Sequence, residues 1–301
     1  MFQIKSKTFD IGDGRMVTIE TGKLARQADG SALVKMGNCA LLATVVANKE
    51  PKAGQSFFPL SVDYQEKFAA AGRIPGSFFK REGRLSDYEI LISRLIDRAL
   101  RPLFPTDYLC DVQVLVTLIS SDPEIMPDAL AALAASAALA VSDVPIEEVI
   151  SEVRVSRING TFVINPTRSQ MKESDMDFII AATEKNIMMV EGESKQCSEE
   201  DLIQAIEVGH AAIKVQVQAQ KELWEACGSP AKRAYTKPYR NAELESKVAA
   251  FAKDKVYSVA KAALAKHERS DAFKAISVEL VEHLGELPTE DAALVGMYLH
   301  D

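Results

Sequence analysis

The alternation of apolar and polar residues predicts that the first two thirds of the chain is rich in strands. Period-two or continuous apolar runs indicate strands at residues 3–9, 15–21, 31–35, 39–47, 60–67, 112–119, 153–158, 161–164, 177–183 and 187–193. Asn159-Gly160, between two of these runs, is typical of a tight hairpin turn. The run at 39–47 is continuously apolar, so we expect that strand to be buried on both faces, with 112–119 as a further buried strand.

Segments with helical periodicity alternate with these strands, and from residue 198 onward the pattern predicts helices without further strands. One helix begins at Ser86, which forms a capping box with Glu89, and ends before Pro102. Residues 128–141 predict an alanine-rich helix, and residues 198–227 a long amphipathic helix. The chain therefore belongs to the α/β (α+β) class, with a mixed β-sheet core covered by helices.

Composition suggests where the domains end. Residues 228–241 are rich in Pro, Gly and basic side chains, which predicts a linker. We therefore expect a core domain at 1–227, a linker at 228–241 and an all-helical domain at 242–301, which we expect to be truncated.

The chain has 301 residues, 47% of them hydrophobic, and a formal charge of -8. Its longest apolar runs are shorter than the roughly 20 residues that a membrane span requires, and its first residues lack the apolar segment of a signal peptide. The four cysteines are widely spaced without a C-x-x-C pair, which favours reduced thiols in a cytoplasmic protein and gives no sign of a zinc site.

One stretch carries the opposite charge to the rest. Between residues 73 and 101 seven Lys or Arg stand against four acids, so this segment is positive within an acidic chain. A positive island of this kind is a candidate site for a polyanion.

The island begins with a loop in which two aromatic residues lie beside two cations. Rings that stack on bases and cations that hold phosphates are what single-stranded nucleic acid requires. The alternative interpretation places the two rings in the core under a surface loop. The loop residues are Phe78, Phe79, Lys80, Arg81 and Arg84.

The island continues in the helix that Ser86 caps. Arg94, Arg98 and Arg101 recur at i, i+4 and i+7 and so share one face, opposite an apolar face. Aligned guanidinium groups can hold phosphates. The alternative interpretation is a solvated face with local ion pairs, such as Asp97 with Arg94 or Arg101.

These residues carry a specific resemblance. The motif F-F-K-R-E-G-R-L-S-x-x-E-x-x-x-x-R-L-I-D-R-x-L-R-P-L-F-P, from Phe78 to Pro105, closely resembles the first core domain of the bacterial polynucleotide phosphorylase family, and the likeness extends over essentially the whole chain. It implies a ribonuclease-PH-like core followed by an all-helical domain. It also implies that the aromatic-basic loop lines a pore through which single-stranded RNA is threaded.

The resemblance further implies what the whole protein does. The family is a phosphate-dependent 3'-to-5' exoribonuclease (polyribonucleotide nucleotidyltransferase) that releases nucleoside diphosphates and uses Mg2+ and inorganic phosphate. It works as a trimeric ring, and we expect it to meet other proteins of RNA degradation and no membrane. The reacting groups belong to a second core domain, which this chain does not contain.

Three positions depart from the family's catalytic pattern. Pro127 lies in the run 124–128, where the pattern has small hydroxyl residues, Met171 replaces an aspartate, and Ile179 replaces a lysine. We therefore expect no catalytic residue in this chain. Asp175 and Asp177 remain as weak metal candidates, with Asp175 interpreted as an exposed strand-edge residue and Asp177 as a structural hydrogen-bonding group.

Two hypotheses account for this pattern. The chain is the N-terminal part of the exoribonuclease, contributing ring assembly and the RNA-threading loop, or it is a stand-alone, non-catalytic RNA-binding ring subunit of exosome type. The all-helical tail favours the first. A small-molecule transferase is not supported, because the sequence lacks a phosphate loop or dinucleotide fingerprint.

Overall fold

Ten strands in two sheets are present in the residues that the computed structural model describes, which are 3–52, 55–76 and 82–301. They are β1 (Lys5–Asp10), β2 (Met16–Thr21), β3 (Gly30–Met36), β4 (Cys39–Ala47), β5 (Leu60–Glu66), β6 (Val112–Ser120), β7 (Ser151–Ile158), β8 (Thr161–Ile164), β9 (Ser174–Ala182) and β10 (Ile187–Ser194). The predicted strands are all present, most of them with ends shifted by one to three residues.

The first sheet is mixed and the second is antiparallel. The six-stranded sheet has the order β1-β2-β3-β4-β6-β5, and only its β5–β6 pair is parallel. The four-stranded sheet has the order β10-β9-β7-β8. In the predicted hairpin between β7 and β8, Asn159 and Gly160 have positive φ angles of 50° and 78°, as a tight turn of this kind requires.

Seven α-helices accompany the strands in the described ranges. They are α1 (Asp87–Leu100), α2 (Asp128–Val141), α3 (Arg168–Met171), α4 (Glu199–Ala226), α5 (Ala242–Lys261), α6 (Lys266–Leu284) and α7 (Thr289–His300). The predicted capping box of α1 is confirmed: the Glu89 amide donates to Ser86 Oγ at 3.3 Å, and the Ser86 amide donates to Glu89 Oε2 at 2.6 Å. Ser198 likewise caps α4.

Helix α2 lies between the two sheets and is the centre of the core. Every residue from Asp128 to Ala140 is buried, and the small side chains allow the close packing that their composition predicted. Strand β3 approaches so closely that a Cβ atom at Gly30 would lie 2.2 Å from the carbonyl oxygen of Ala138. Glycine is therefore required at this crossing.

Helix α4 covers the other face of the four-stranded sheet. Val153, Val155 and Ile180 from the sheet pack with Ile213 and Val217 from the helix. Helix α2 covers only one face of β4 in the six-stranded sheet. Alternate residues of β4 and β6 remain partly exposed, including Val46 and Ile119. The expectation that β4 is buried on both faces was therefore wrong.

The segment predicted as a linker makes specific contacts. Lys232 Nζ donates to the carbonyl oxygens of Leu139 and Ser142 at 2.8 Å, at the end of α2. Arg233 pairs with Asp29 at 2.9 Å and also with Asp143. The chain divides into compact units at Lys237 and Pro238, so most of residues 228–241 belongs to the first unit.

The second unit, Pro238–Asp301, consists of α5, α6 and α7 around a small core. Leu244 and Val248 of α5, Leu280 of α6 and Val295 and Tyr298 of α7 form that core. Throughout the described residues, no helix is both long enough and apolar enough to cross a membrane.

Candidate nucleic-acid interface and acidic cluster

Helix α1 is fixed against β5, the edge strand of the six-stranded sheet. Its side chains bind the backbone groups that β5 would otherwise leave unpaired: the Tyr64 amide donates to Ser93 Oγ at 2.9 Å and the Glu66 amide to Glu89 Oε1 at 2.8 Å. Ile92, Ile96 and Ala99 are buried, as the periodicity predicted. The opposite face of α1 is therefore held outward in a fixed orientation.

Two of the three aligned arginines have protein partners. Arg101 Nη2 pairs with Asp97 Oδ1 at 2.5 Å, and its guanidinium group also donates to the carbonyl oxygens of Phe58 at 3.2 Å and Leu60 at 3.3 Å. Arg98 pairs with Glu191 of β10. The alternative interpretation of local ion pairs thus describes Arg101, which joins α1 to β5, better than phosphate binding does.

Arg84 and Arg94 differ from these two. Both are exposed, and neither side chain has a hydrogen bond or an ion pair with any residue in the described part of the chain. Arg94 lies in a groove of about 550 Å³ between α1 and β5, together with Val62, Ile90 and Arg98. The groove therefore holds, in Arg94, a cation that pairs with no described residue beside apolar surface, which suits a phosphate backbone with adjacent bases.

Four members of the predicted loop, Phe78, Phe79, Lys80 and Arg81, lie outside the described residues. Glu82, two residues before Arg84, accepts a hydrogen bond at Oε1 from the Phe68 amide at 2.6 Å. This contact holds Glu82 beside the short helical turn at Phe68–Ala71.

A second group of charged residues surrounds the beginning of α2. Asp128 is buried at the first residue of the helix, and its Oδ2 accepts from Arg154 Nη2 of β7 at 2.5 Å. The Nη1 atom of the same arginine donates to both carboxylate oxygens of Asp177 on β9. Burial raises the pKa of Asp177 and the charge of Arg154 opposes that effect. One guanidinium group therefore bridges two carboxylates where a helix N-terminus would favour an anion.

Asp175 does not join this cluster. Its carboxylate pairs with Arg157 Nε at 2.9 Å, and Arg157 also pairs with Asp201 in the first turn of α4 at 2.7 Å. Asp175 and Asp177 both line one pocket, although the β7–β9 register shifts between Arg157 and Ile158. Each of the two weak metal candidates is instead paired with its own arginine, Asp175 with Arg157 and Asp177 with Arg154.

The position of Asp175 corrects one interpretation. Strand β9 pairs with β7 on one side and β10 on the other, so Asp175 is not on an edge strand, although its side chain is 45% exposed. The described residues contain no group of three or more His, Cys, Asp or Glu side chains arranged to hold a metal ion.

The three departures from the catalytic pattern have structural explanations. Ile179 is buried in the main core and carries no ionisable group. Met171 accepts a weak hydrogen bond at Sδ from Ser156 Oγ at 3.1 Å. Pro127 precedes α2 and provides no side-chain cap. None of the three side chains offers a group for acid catalysis or for holding phosphate.

Sequence reasoning missed two members of this cluster, Glu152 and Arg154. Glu152 is buried, its Oε2 has no hydrogen-bond partner among the described residues, and burial raises the pKa of its carboxyl group well above the usual value. The available signal was the alternation of these two charged residues with the valines of β7. It indicates that one face of β7 meets other charged groups.

Comparisons with known proteins agree with this fold. Domain 1 of the 3' exoribonuclease family matches residues 13–145, and domain 2 of that family matches residues 148–212. The crystal structure of rice (Oryza sativa) Rrp46 superposes with a TM-score of 0.55 over 76% of this chain and 95% of that one. At 14% identity this likeness supports the fold alone.

Closer relatives extend further along the chain. The polyribonucleotide nucleotidyltransferase of Cytophaga hutchinsonii is 52% identical over 99% of this chain, and that of Bacteroides fragilis is 55% identical over 98%. The chain spans 42% of the length of each of these two relatives. It therefore belongs to the 3' exoribonuclease family and corresponds to the N-terminal part of the polyribonucleotide nucleotidyltransferases.

Proposed function

We propose that this chain is the non-catalytic, RNA-holding part of a phosphorolytic 3'-to-5' exoribonuclease that degrades single-stranded RNA to nucleoside diphosphates. The observation that carries the proposal is the contrast between its two charged regions. Arg84 and Arg94 are exposed and pair with no described residue, whereas both terminal nitrogens of Arg154 bind Asp128 and Asp177. The first region suits a polyanion, and the second offers an attacking phosphate no free cation.

Phosphorolysis requires more than this cluster contains. Cations must hold the attacking and scissile phosphates, and a proton donor must serve the leaving oxygen. The fit for Mg2+ is also poor, because guanidinium groups already occupy the carboxylates of Asp175 and Asp177. We therefore assign the Mg2+ and phosphate chemistry to a part of the longer relatives that this chain does not cover.

The RNA path that we propose runs from the Phe78–Arg81 loop to the outward face of α1. Phe78 and Phe79 stack on bases, and Lys80, Arg81, Arg84 and Arg94 hold phosphates. Arg98 contributes where RNA displaces Glu191, whereas Arg101 serves the fold. One loop makes few contacts, so a trimeric ring that brings three loops together would raise RNA affinity through avidity.

The setting of this activity is also part of the proposal. All four cysteines are unpaired, which suits a reducing compartment, and we place the protein in the cytoplasm with other proteins of RNA degradation. A stand-alone ring subunit of exosome type is the weaker hypothesis. Relatives that match nearly the whole chain at more than 50% identity are nucleotidyltransferases of more than twice its length.

Binding of a labelled oligoadenylate to the 301-residue chain, followed by fluorescence anisotropy over a salt series, tests the RNA-holding role. We expect the double variant Arg84→Gln/Arg94→Gln to bind less tightly and to reduce the salt slope by roughly 0.7 for each phosphate that is no longer neutralised. Lys23→Gln/Lys49→Gln is the matched control, because both lysines are exposed in the same unit and neither pairs with a described residue. Equal weakening in the two variants would show that binding depends on net charge alone and would contradict the proposed path.

A further inference from the structure

Most polar side chains of the groove between α1 and β5 are already used by the protein. The polar residues that line it are Asp63, Ser93, Arg94, Asp97 and Arg98. The Ser93 hydroxyl accepts a hydrogen bond from the backbone of β5 at 2.9 Å and donates one to the backbone of α1 at 2.8 Å. Asp97 and Arg98 each form an ion pair with a residue outside the lining. Asp63 and Arg94 are left for a ligand.

Asp63 and Arg94 carry opposite charges in the same groove, but they do not pair with each other. Arg94 is exposed and Asp63 is partly buried, and the Asp63 carboxylate has no hydrogen bond or ion pair with a described residue. The backbone of Asp63 is fixed, because it lies opposite Leu115 in the parallel β5–β6 ladder. A carboxylate only accepts hydrogen bonds and a guanidinium group only donates them. The groove therefore presents one acceptor and one cation at separate places.

A ligand that satisfies both side chains must present an anion to Arg94 and a hydrogen-bond donor to Asp63. The sugar–phosphate backbone of RNA carries these two groups in every nucleotide, as the phosphate and the 2'-hydroxyl. DNA has the same phosphates without the hydroxyl, so it would bring negative charge toward the Asp63 carboxylate and offer no hydrogen bond in return. Arg94 thus suits RNA and DNA alike, whereas Asp63 distinguishes between them.

We propose that Asp63 selects RNA over DNA in this groove by accepting a hydrogen bond from a ribose 2'-hydroxyl while Arg94 holds a phosphate of the same strand. This role of Asp63 rests on the proposed RNA-holding function and adds the residue that recognises the sugar. Val62 and Ile90 line the groove beside the carboxylate and reduce the water around it, which strengthens a hydrogen bond to its oxygens.

Fluorescence anisotropy at one fixed salt concentration tests this role with three labelled oligonucleotides of equal length. They are oligoadenylate, oligodeoxyadenylate and 2'-fluoro oligoadenylate, which keeps an RNA-like sugar conformation but lacks the hydroxyl donor. Because the bases are identical, a hydrogen bond from Asp63 to a base amino group would not distinguish the three. We expect the natural chain to bind oligoadenylate roughly three- to tenfold more tightly than either analogue, as one hydrogen bond to a carboxylate allows.

The outcomes for the natural chain separate this role from RNA holding itself. Equal affinities for oligoadenylate and its 2'-fluoro analogue would overturn the role of Asp63 and leave the RNA-holding function standing. If the natural chain bound no oligoadenylate, the RNA-holding function would fail, and the role of Asp63 would fail with it.

Three variants assign the preference to one side chain. Asp63→Ala should bind oligoadenylate and the 2'-fluoro analogue equally, and Asp63→Asn, which keeps one carbonyl acceptor, should retain part of the preference. Glu207→Ala removes an exposed carboxylate of the same unit that pairs with no described residue, so it should keep the full preference. A full preference in Asp63→Ala would refute the role. If Asp63→Ala shows no thermal transition, Asp63→Asn decides, and a preference equal to that of Glu207→Ala would then refute it.

Discussion

Arg154 of β7 and Asp177 of β9 form an ion pair in which one guanidinium nitrogen donates to both carboxylate oxygens. The other terminal nitrogen of Arg154 binds Asp128 at the beginning of α2. The contact joins the four-stranded sheet to the central helix of the core. Asp128 and Arg154 thereby occupy the N-terminal end of α2, where the helix would otherwise attract an anion.

Removing Arg154 should therefore cost much more than removing a surface arginine. In Arg154→Met two carboxylates lose their partner, one of them fully buried, and we expect unfolding to become easier by roughly 3–5 kcal/mol. Urea unfolding followed by circular dichroism measures this. Arg98→Met, which breaks an exposed pair, is the control and should change stability by less than about 1 kcal/mol. Equal effects would show that the buried pairs contribute no more than surface pairs.

The buried carboxyl group of Glu152 should make stability depend on pH. Burial raises its pKa in the folded chain above the ordinary value of 4.5, so above that pH the unfolded chain loses a proton that the folded chain keeps. Stability then falls as pH rises through the window between the two pKa values, by up to about 1.4 kcal/mol per pH unit. Glu152→Gln removes this dependence. The free energy of unfolding of the variant should therefore increase relative to that of the natural chain as pH rises above 4.5.

Urea midpoints measured from acidic to alkaline pH test this sign. Glu207→Gln removes an exposed carboxylate and controls for the change in net charge. Parallel pH profiles for the natural chain and Glu152→Gln would contradict a protonated Glu152 in the folded state.

Substitution of Arg94 should affect RNA binding, whereas substitution of Arg101 should affect stability. Arg94 has no partner among the described residues, so Arg94→Ala should weaken oligoadenylate binding and leave the melting temperature unchanged. Arg101 holds Asp97 and the carbonyl oxygens of Phe58 and Leu60, so Arg101→Ala should lower the melting temperature. Differential scanning fluorimetry and anisotropy on the same preparations measure both effects. The reverse assignment would place Arg94 in the fold and Arg101 on the RNA.

Substitution of Phe78 and Phe79 tests whether the two rings stack on RNA bases. If the rings stack on bases, Phe78→Ala/Phe79→Ala should lose roughly 1–3 kcal/mol of binding free energy per base released. The thermal transition should stay in place. Tyr257→Ala, which removes a 65% exposed ring from the second unit, is the control for loss of an aromatic surface group. A double variant without a thermal transition would instead assign the two rings to the core.

Local patterns predicted the elements of this fold well. The capping box at Ser86 and the Asn159-Gly160 turn depend on residues next to each other in sequence, and both are present as predicted. The burial of β4 was predicted less well. A run of apolar residues shows that a strand is hydrophobic, but it does not show whether one or both faces of the strand are covered. Helix α2 covers only one face of β4.

The candidate site was harder to predict, because partners distant in sequence decide it. Arg94 and Arg101 look equivalent on a helical wheel, yet only Arg101 reaches the carbonyl oxygens of β5. Asp175 and Asp177 line one pocket, as residues two apart on a strand should, but each is paired with a different arginine that the local pattern did not reveal. Arg154 was missed because Asp128 lies 26 residues before it and Asp177 lies 23 residues after it.

We propose that this chain holds RNA and does not cleave it. The direct measurement is a phosphorolysis assay on the 301-residue chain, with single-stranded RNA, magnesium and inorganic phosphate, and nucleoside diphosphate release as the readout. We expect no release of nucleoside diphosphates under conditions where RNA binding is measurable. Release that is lost in Asp175→Asn/Asp177→Asn would contradict it, since those carboxylates would then support catalysis despite their pairing with Arg157 and Arg154.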